Sequence, residues 1–191
     1  MARILWLPML AALLAPACAP REPGPTEADY GKVSFWLIES AGVETSGCTD
    51  AASFTSEVPT PEGLIGSTLS YRIADDGQTA ELLDCTSTDP ASCASTEPAR
   101  SFEISGHVFS NSRTAESPVN ATCNQQIVQT WTFEDGGEEL SFAFVSAYAL
   151  VGDATSCAEA QQAFVAGSSN GEGIDGCTLT VRGDASFTAT E

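Results

Sequence analysis

Basic residues are scarce in this 191-residue chain, which has seven Lys and Arg against 26 Asp and Glu. A formal net charge of −19 repels phosphate backbones, so the composition argues against nucleic acid as a partner. The single histidine, His107, and the lack of any CxxC pair argue against a metal site of imidazole and thiolate ligands. Excess carboxylates more often keep a surface hydrated than bind a cation or a basic partner, and we favour that interpretation.

The scarcity of histidine also limits the hydrolytic mechanisms. The segment 167–171 reads Gly-Ser-Ser-Asn-Gly and matches G-x-S-x-G, with Ser169 in the nucleophile position. That motif needs a strand before it, a helix after it and a later histidine, whereas here the expected order is reversed and His107 comes earlier. We therefore assign no catalytic residue. A glycan-acting enzyme with paired carboxylates stays open as a class, since no pair stands out among 26 acidic residues.

No apolar run reaches the roughly 20 residues that a membrane-spanning helix needs. The apolar stretch from Ile4 to Ala15 follows Arg3 and ends in small residues before Cys18. This order of charge, apolar run and small residues predicts a secretory signal peptide over residues 1–17 and export of the remainder.

The residues Ala15-Pro16-Ala17-Cys18 resemble the lipobox of bacterial lipoproteins. The resemblance implies that Cys18 carries lipid after cleavage and anchors the chain in a membrane. Ala19, in place of the aspartate that retains such proteins at the inner membrane, favours the outer membrane. The alternative is cleavage after Cys18, which would export the chain without a lipid. Residues 18–29 are rich in proline and lack an apolar run, so they predict an extended tether before a single domain over 30–191.

The seven cysteines are consistent with lipidation at Cys18, because the six that remain can form three disulfides in an oxidising compartment. Six cysteines allow fifteen connectivities. Short-range geometry favours one bridge across the polar loop after residue 85 and one around the late helix, which leaves a third, long-range pair. The expected pairs are Cys85 with Cys93, Cys157 with Cys177, and Cys48 with Cys123.

Alternating apolar and polar residues dominate the domain and predict about seven to eight antiparallel strands. Tight-turn signals at 75–77 and 135–137 mark two hairpins, and one strand is expected from Phe102 to about Asn111 with His107 on its polar face. A capping box at Ser156 predicts one short helix ending near Gly167, before the last strand. We expect a mainly β domain, either an antiparallel barrel or a sandwich, that is stabilised by disulfides.

The Gly-rich loop before the last strand resembles one unit of the calcium-binding nonapeptide repeats, G-G-x-G-x-D. The resemblance implies calcium ligands in that loop, and the acidic hairpin tip near residue 135 could add oxygen ligands if it lies nearby. Two solvated acidic turns are the alternative. The candidate ligands are Asn170, Glu172, Asp175, Glu134 and Asp135.

Three functions remain open for an exported domain without a catalytic set. The first is a non-catalytic, lipid-anchored envelope or cell-surface domain acting in binding, adhesion or envelope architecture, with a protein or polysaccharide partner. The second is a carrier of a small apolar ligand: the late helix followed by a strand is similar to lipocalins, although Gly31-Lys32-Val33 stands where that family has G-x-W. The third is a calcium-binding surface module.

Overall fold

The computed structural model describes residues 21–48, 60–167 and 173–191. The described residues form nine strands, two α-helices and two single 3-10 turns, at Glu27–Asp29 and Pro90–Ser92. The helices are α1 (Pro61–Leu64) and α2 (Ala154–Gly167). The strands are β1 (Val33–Ser46), β2 (Thr68–Ile73), β3 (Thr79–Cys85), β4 (Cys93–Ser95), β5 (Ser101–Ser105), β6 (Val108–Pro118), β7 (Cys123–Asp135), β8 (Glu139–Gly152) and β9 (Thr178–Thr190).

Eight of these strands form a closed antiparallel barrel. Each strand pairs with its neighbours in the order β1, β2, β3, β5, β6, β7, β8, β9, and β9 returns to pair with β1. The short strand β4 folds back on β3 as an extra hairpin outside this circle. The mainly β prediction is confirmed, and the closed pairing distinguishes the barrel from the sandwich.

The barrel interior follows from the two-residue periodicity of the strands. Residues paired across strands share a face, so the registers trace rows of inward side chains around the barrel. One such row is largely aromatic and packs in the main core cluster; it contains Phe109, Phe133 and Phe142, which face one another across β6, β7 and β8. These rings are at most 3% exposed, so this part of the barrel is filled by its own side chains.

The strand predicted from Phe102 to about Asn111 is two strands. Gly106 has a φ of +63°, a conformation that side-chain-bearing residues rarely adopt, and it turns the chain between β5 and β6. His107 therefore lies in this turn and not on the polar face of a strand. Its Nε2 is 3.2 Å from Glu134 Oε1, and both side chains are at least half exposed. The hairpin was missed because Gly-His is a weaker turn signal than Asp-Gly.

The late helix is present, but it begins two residues before the predicted capping box. Asp153 accepts a hydrogen bond from the backbone N–H of Ser156 at 3.0 Å, and the Asp153 carbonyl accepts from Cys157 N–H. Asp153 thus caps α2 in place of Ser156. The hydrogen bonds that the backbone and the side chain of Ser156 make to the carboxylate favour its charged form and hold the pKa of Asp153 below its usual value.

Three disulfides are formed, and two of them differ from the expected pairing. Cys85 and Cys93 are bonded as predicted, because they lie opposite each other in the β3–β4 hairpin. The predicted Cys157–Cys177 and Cys48–Cys123 pairs are wrong. The bonds are instead Cys123–Cys157 and Cys48–Cys177. The physical reason is that β1 and β9 are paired neighbours, so their ends at 48 and 177 meet, while α2 folds back onto the start of β7.

In the described ranges, no helix combines the length and the hydropathy that a membrane span requires.

Candidate binding site

The strands of the barrel have unequal lengths, which divides it into two halves. β2, β3 and β5 have six, seven and five residues, whereas β1, β7, β8 and β9 have 13 or 14. β5 pairs with β6 only as far as Ser110, and β2 pairs with β1 only as far as Leu37. Among the described residues no strand pairs with the outer edges of β1 and β6 beyond these points. The barrel is closed at one end and continues at the other as a curved five-stranded wall.

At the closed end, the N-terminal segment packs across the barrel. The Arg21 guanidinium donates two hydrogen bonds to the Asp135 carboxylate, at 2.6 and 2.9 Å, and it lies over the rings of Trp36 and Phe187. Asp135 also accepts from the Tyr71 hydroxyl at 3.2 Å. The Asp135 side chain is 0% exposed and that of Arg21 is 15% exposed, so this is a buried ion pair.

The charges at this end explain the pKa values of the partners. Burial alone would lower the pKa of Arg21, but its hydrogen bonds to Asp135 and the charge of that carboxylate outweigh burial and raise it. Burial, together with the neighbouring Asp135 charge, raises the pKa of the Tyr71 hydroxyl, which therefore stays protonated and donates its hydrogen bond.

This packing differs from the extended tether expected over residues 18–29. From Arg21 onwards the segment is held by the barrel: Gly24 N–H donates to the Asp135 carbonyl at 3.0 Å, and Arg21 N–H donates to Glu138 at 3.0 Å. The tether was expected because this proline-rich segment has no apolar run to pack against a core. It is held instead by one arginine and by backbone hydrogen bonds, which a hydropathy pattern does not reveal. Cys18 and Ala19 lie outside the described residues.

At the other end, two rows of inward side chains line the curved wall, and we call this surface the trough. The cross-strand registers of β1, β9, β8, β7 and β6 define both rows. The first row, nearer the filled core, is Val43, Val181, Phe144, Trp131 and Asn111, and the second is Thr45, Leu179, Ser146, Gln129 and Arg113.

The first row of the trough presents accessible apolar surface. Val43 is 41% exposed although it points to the inside of the barrel, and Phe144 is half-buried. Trp131 packs edge-on against Phe144, with ring centroids 5.8 Å apart. An inward apolar side chain that solvent reaches is what a ligand site needs and what a filled core lacks.

The charged side of the trough is formed by two arginines around Trp131. The guanidinium carbon of Arg100 lies 3.2 Å from the centroid of the Trp131 ring, and that of Arg113 lies 5.8 Å from it. Arg113 Nε donates to Gln129 Oε1 at 2.6 Å. Burial, and then the positive charge of Arg113, lower the pKa of Arg100.

α2 covers the far end of the trough. Phe164 of this helix packs against a small cluster that includes Tyr148, Ile174 and Leu179, and the Cys123–Cys157 bond ties the start of the helix to β7. The Gln161 side-chain oxygen accepts from the backbone N–H groups of Ile174 and Asp175. The helix and the segment before β9 are thus fixed to each other and to the wall.

Of the predicted calcium ligands, the three that the structure describes, Asp175, Glu134 and Asp135, do not come together. Asp175 accepts from the backbone N–H of Leu150, which pairs with Gln125 on β7. Asp135 lies ten residues further along that strand, about 30 Å away at the rise of a β-strand.

The hairpin tip is also unsuited to share a cation. The Asp135 carboxylate is occupied by Arg21, Tyr71 and the backbone N–H of Gly137, while Glu134 lies on the opposite face of β7. Asn170, Glu172 and the G-x-S-x-G residue Ser169 lie outside the described residues. In the part of the chain that is described, no three His, Cys, Asp or Glu come together as a metal site. A calcium site confined to 170–175 stays a prediction.

Fold and site together define a closed antiparallel barrel with one filled end and one trough. No protein-family model matches the chain, and no curated protein or solved structure matches it either. The geometry of the trough and the signals in the sequence are therefore the features that indicate a function.

Proposed function

We propose that this protein is an exported, lipid-anchored, non-catalytic binding protein of the bacterial envelope or cell surface, and that it holds a small ligand in the trough. The observation that carries the binding role is the accessible apolar surface of Val43 and Phe144 on the inner side of the barrel wall. Small-molecule sites are concave, mostly apolar and supplied with a few polar groups, and the trough has that composition.

Export and anchoring rest on the sequence. The signal-like residues 1–17 and the cysteine at 18 support transport across the inner membrane and lipid attachment. The net charge of −19 opposes binding to anionic head groups, so a lipid at Cys18 is the natural source of membrane affinity. Ala19 supports placement at the outer membrane.

The docking of Arg21 limits the distance between lipid and barrel. Only residues 19 and 20 separate Cys18 from the first residue that is held at the closed end. The three Cα–Cα steps from Cys18 to Arg21 span at most about 11 Å. The closed end would therefore lie against the membrane surface, with the trough at the opposite end, where it is accessible to solutes.

Two measurements test this proposal. Cys18→Ser should abolish the lipid mass of the purified chain and move the protein out of the membrane fraction. Native mass spectrometry of the Cys18→Ser protein after incubation with an extract of the cell envelope should show one small-molecule mass that is lost on denaturation. A Cys18→Ser protein that stays in the membrane fraction would contradict the anchor, and a bare protein would contradict the binding role.

A further inference from the structure

We propose that the ligand of the trough is a small organic anion, whose carboxylate or phosphate group binds between Arg100 and Arg113 while its apolar body lies along Phe144 and Val43. This inference rests on the proposed binding role and adds the chemical class of the ligand.

The two arginines are placed opposite each other at one edge of the trough. The β5–β6 register pairs Ile104 with Phe109 and Glu103 with Ser110. If this register is extended three residues beyond the pair of Glu103 and Ser110, Arg100 lies across from Arg113. These two residues are beyond the last pair that β5 and β6 form. Like charges in opposed positions on neighbouring strands repel each other, and an anion bound between the two guanidinium groups would offset that repulsion.

The protein itself does not supply that anion within the described residues. Arg21, the other arginine that points into the barrel, forms an ion pair with the Asp135 carboxylate, and the exposed Arg182 lies 3.6 Å from Glu44. No described carboxylate lies within ion-pair distance of Arg100 or Arg113, although the chain has 26 acidic residues. Among the described residues Lys32 and Arg72 also lack an ion pair, but Arg100 and Arg113 are the two that lie beside one ring, where a single bound anion would contact both.

Arg100 also has a hydrogen-bond donor that no described residue uses. Its Nε is buried and has no hydrogen-bond partner among the described residues. A guanidinium stacked on an indole keeps its edge free for the paired hydrogen bonds that carboxylates and phosphates accept. Arg113 Nε is already engaged by Gln129, which orients its terminal nitrogens.

Packing alone is the competing explanation for these arginines. Stacking on Trp131 would account for Arg100 as a cover of the aromatic core. It does not account for the second arginine beside the same ring or for the unpartnered Nε. A neutral side chain would cover the indole without either cost.

Isothermal titration with decanoate as the probe tests the proposal on the Cys18→Ser protein. Decanoate should bind in the trough and bind more weakly as sodium chloride rises, whereas decanol, which has the same chain length without the charge, should bind at least about tenfold more weakly. Arg100→Gln and Arg113→Gln should each weaken decanoate binding about tenfold, the loss of one charged hydrogen bond.

Arg182→Gln is the matched control, because it removes the same charge from an exposed site outside the trough. It should leave decanoate binding unchanged within about twofold. Arg113 is exposed, so Arg113→Gln is expected to fold even if Arg100→Gln does not, and a melting curve of each variant checks this.

The outcomes separate the two proposals. Equal binding of decanol and decanoate, equal losses in Arg113→Gln and Arg182→Gln, or no decanoate binding would each overturn the anion proposal. The binding role would survive any of these if the envelope extract still yields a bound small molecule. If decanoate binds but the protein takes up no small molecule from the envelope extract, the anion site is supported and the proposal of a natural ligand in that extract is contradicted.

Discussion

Removal of Arg21 should destabilise the closed end of the barrel more than any surface change of the same charge. In Arg21→Met, the apolar part of the side chain is kept over Trp36 and Phe187, but the cation that faces Asp135 is lost. The Asp135 carboxylate, 0% exposed, would keep only the Tyr71 hydroxyl at 3.2 Å and the Gly137 N–H at 2.9 Å.

The size of the effect follows from burial. Breaking a buried ion pair by removing one partner costs about 3–5 kcal/mol. The lower value applies here, because Arg21 is 15% exposed and two hydrogen bonds to the carboxylate remain. A loss of about 3 kcal/mol in a domain of this size lowers the melting temperature by about 6–12 °C.

Thermal and urea denaturation of the Cys18→Ser protein measure this loss. Arg182→Met is the matched control: its side chain is 64% exposed and 3.6 Å from Glu44, so it should cost at most about 1 kcal/mol. Arg21→Met combined with Asp135→Asn should cost less than the sum of the two single changes. A cost of Arg21→Met below about 1 kcal/mol, or no greater than that of Arg182→Met, would contradict a stabilising role for the buried ion pair.

Two further changes have defined expectations. A Cβ at Gly183 would overlap the Ser40 carbonyl oxygen and the Phe142 ring, so Gly183→Ala should lower the free energy of unfolding by about 1–3 kcal/mol in urea denaturation. Gly42→Ala is the control, because a Cβ there meets open space and should not destabilise the protein. Equal costs for the two variants would contradict this packing. Asp153→Ala should lower the melting temperature at pH 7. Because the pKa of Asp153 is lower in the folded protein, this carboxylate contributes stability above its unfolded pKa of about 4, and that stability is lost as the pH falls through the folded pKa. A deficit that is unchanged at pH 2 would contradict the cap.

The strands could be predicted from the sequence because alternation reports local geometry. Tyr71 and Ile73 face the core in the β2 strand as their spacing predicts, and the turn at Asp135–Gly137 joins two long strands. The hairpin at Gly106 was missed because Gly106-His107 gives a weaker local turn signal than Asp-Gly. Closure of the barrel depends on the pairing of β1 with β9, from Ser46 with Thr178 to Ser34 with Thr190, and no local pattern encodes a pairing between such distant parts of the chain.

The Cys48–Cys177 bond depends on that same long-range pairing, and the trough depends on the registers of all five strands of its wall. The ends of β1 and β9 bring Cys48 to Cys177, and spacing along the chain could not show this. The trough was not predicted for the same reason. Arg100 precedes a strand by one residue and Arg113 lies in the middle of another, so their proximity appears only when the register is known. Arg100 lies two residues before Phe102, and Arg113 lies four residues after Phe109. Because side chains alternate along a strand, this even spacing from two core residues was the one signal that both arginines face the inside of the barrel.

A bulky side chain on the inner face of the wall should exclude a ligand from the trough. Val43 and Leu37 lie on the same strand and are each 41% exposed, but Val43 points into the barrel and Leu37 points outwards. In native mass spectrometry after incubation with envelope extract, Val43→Trp should lose the small-molecule mass that the unchanged trough retains, and Leu37→Trp should keep it. Retention of that mass by Val43→Trp, or its loss from both variants, would contradict a ligand site in the trough.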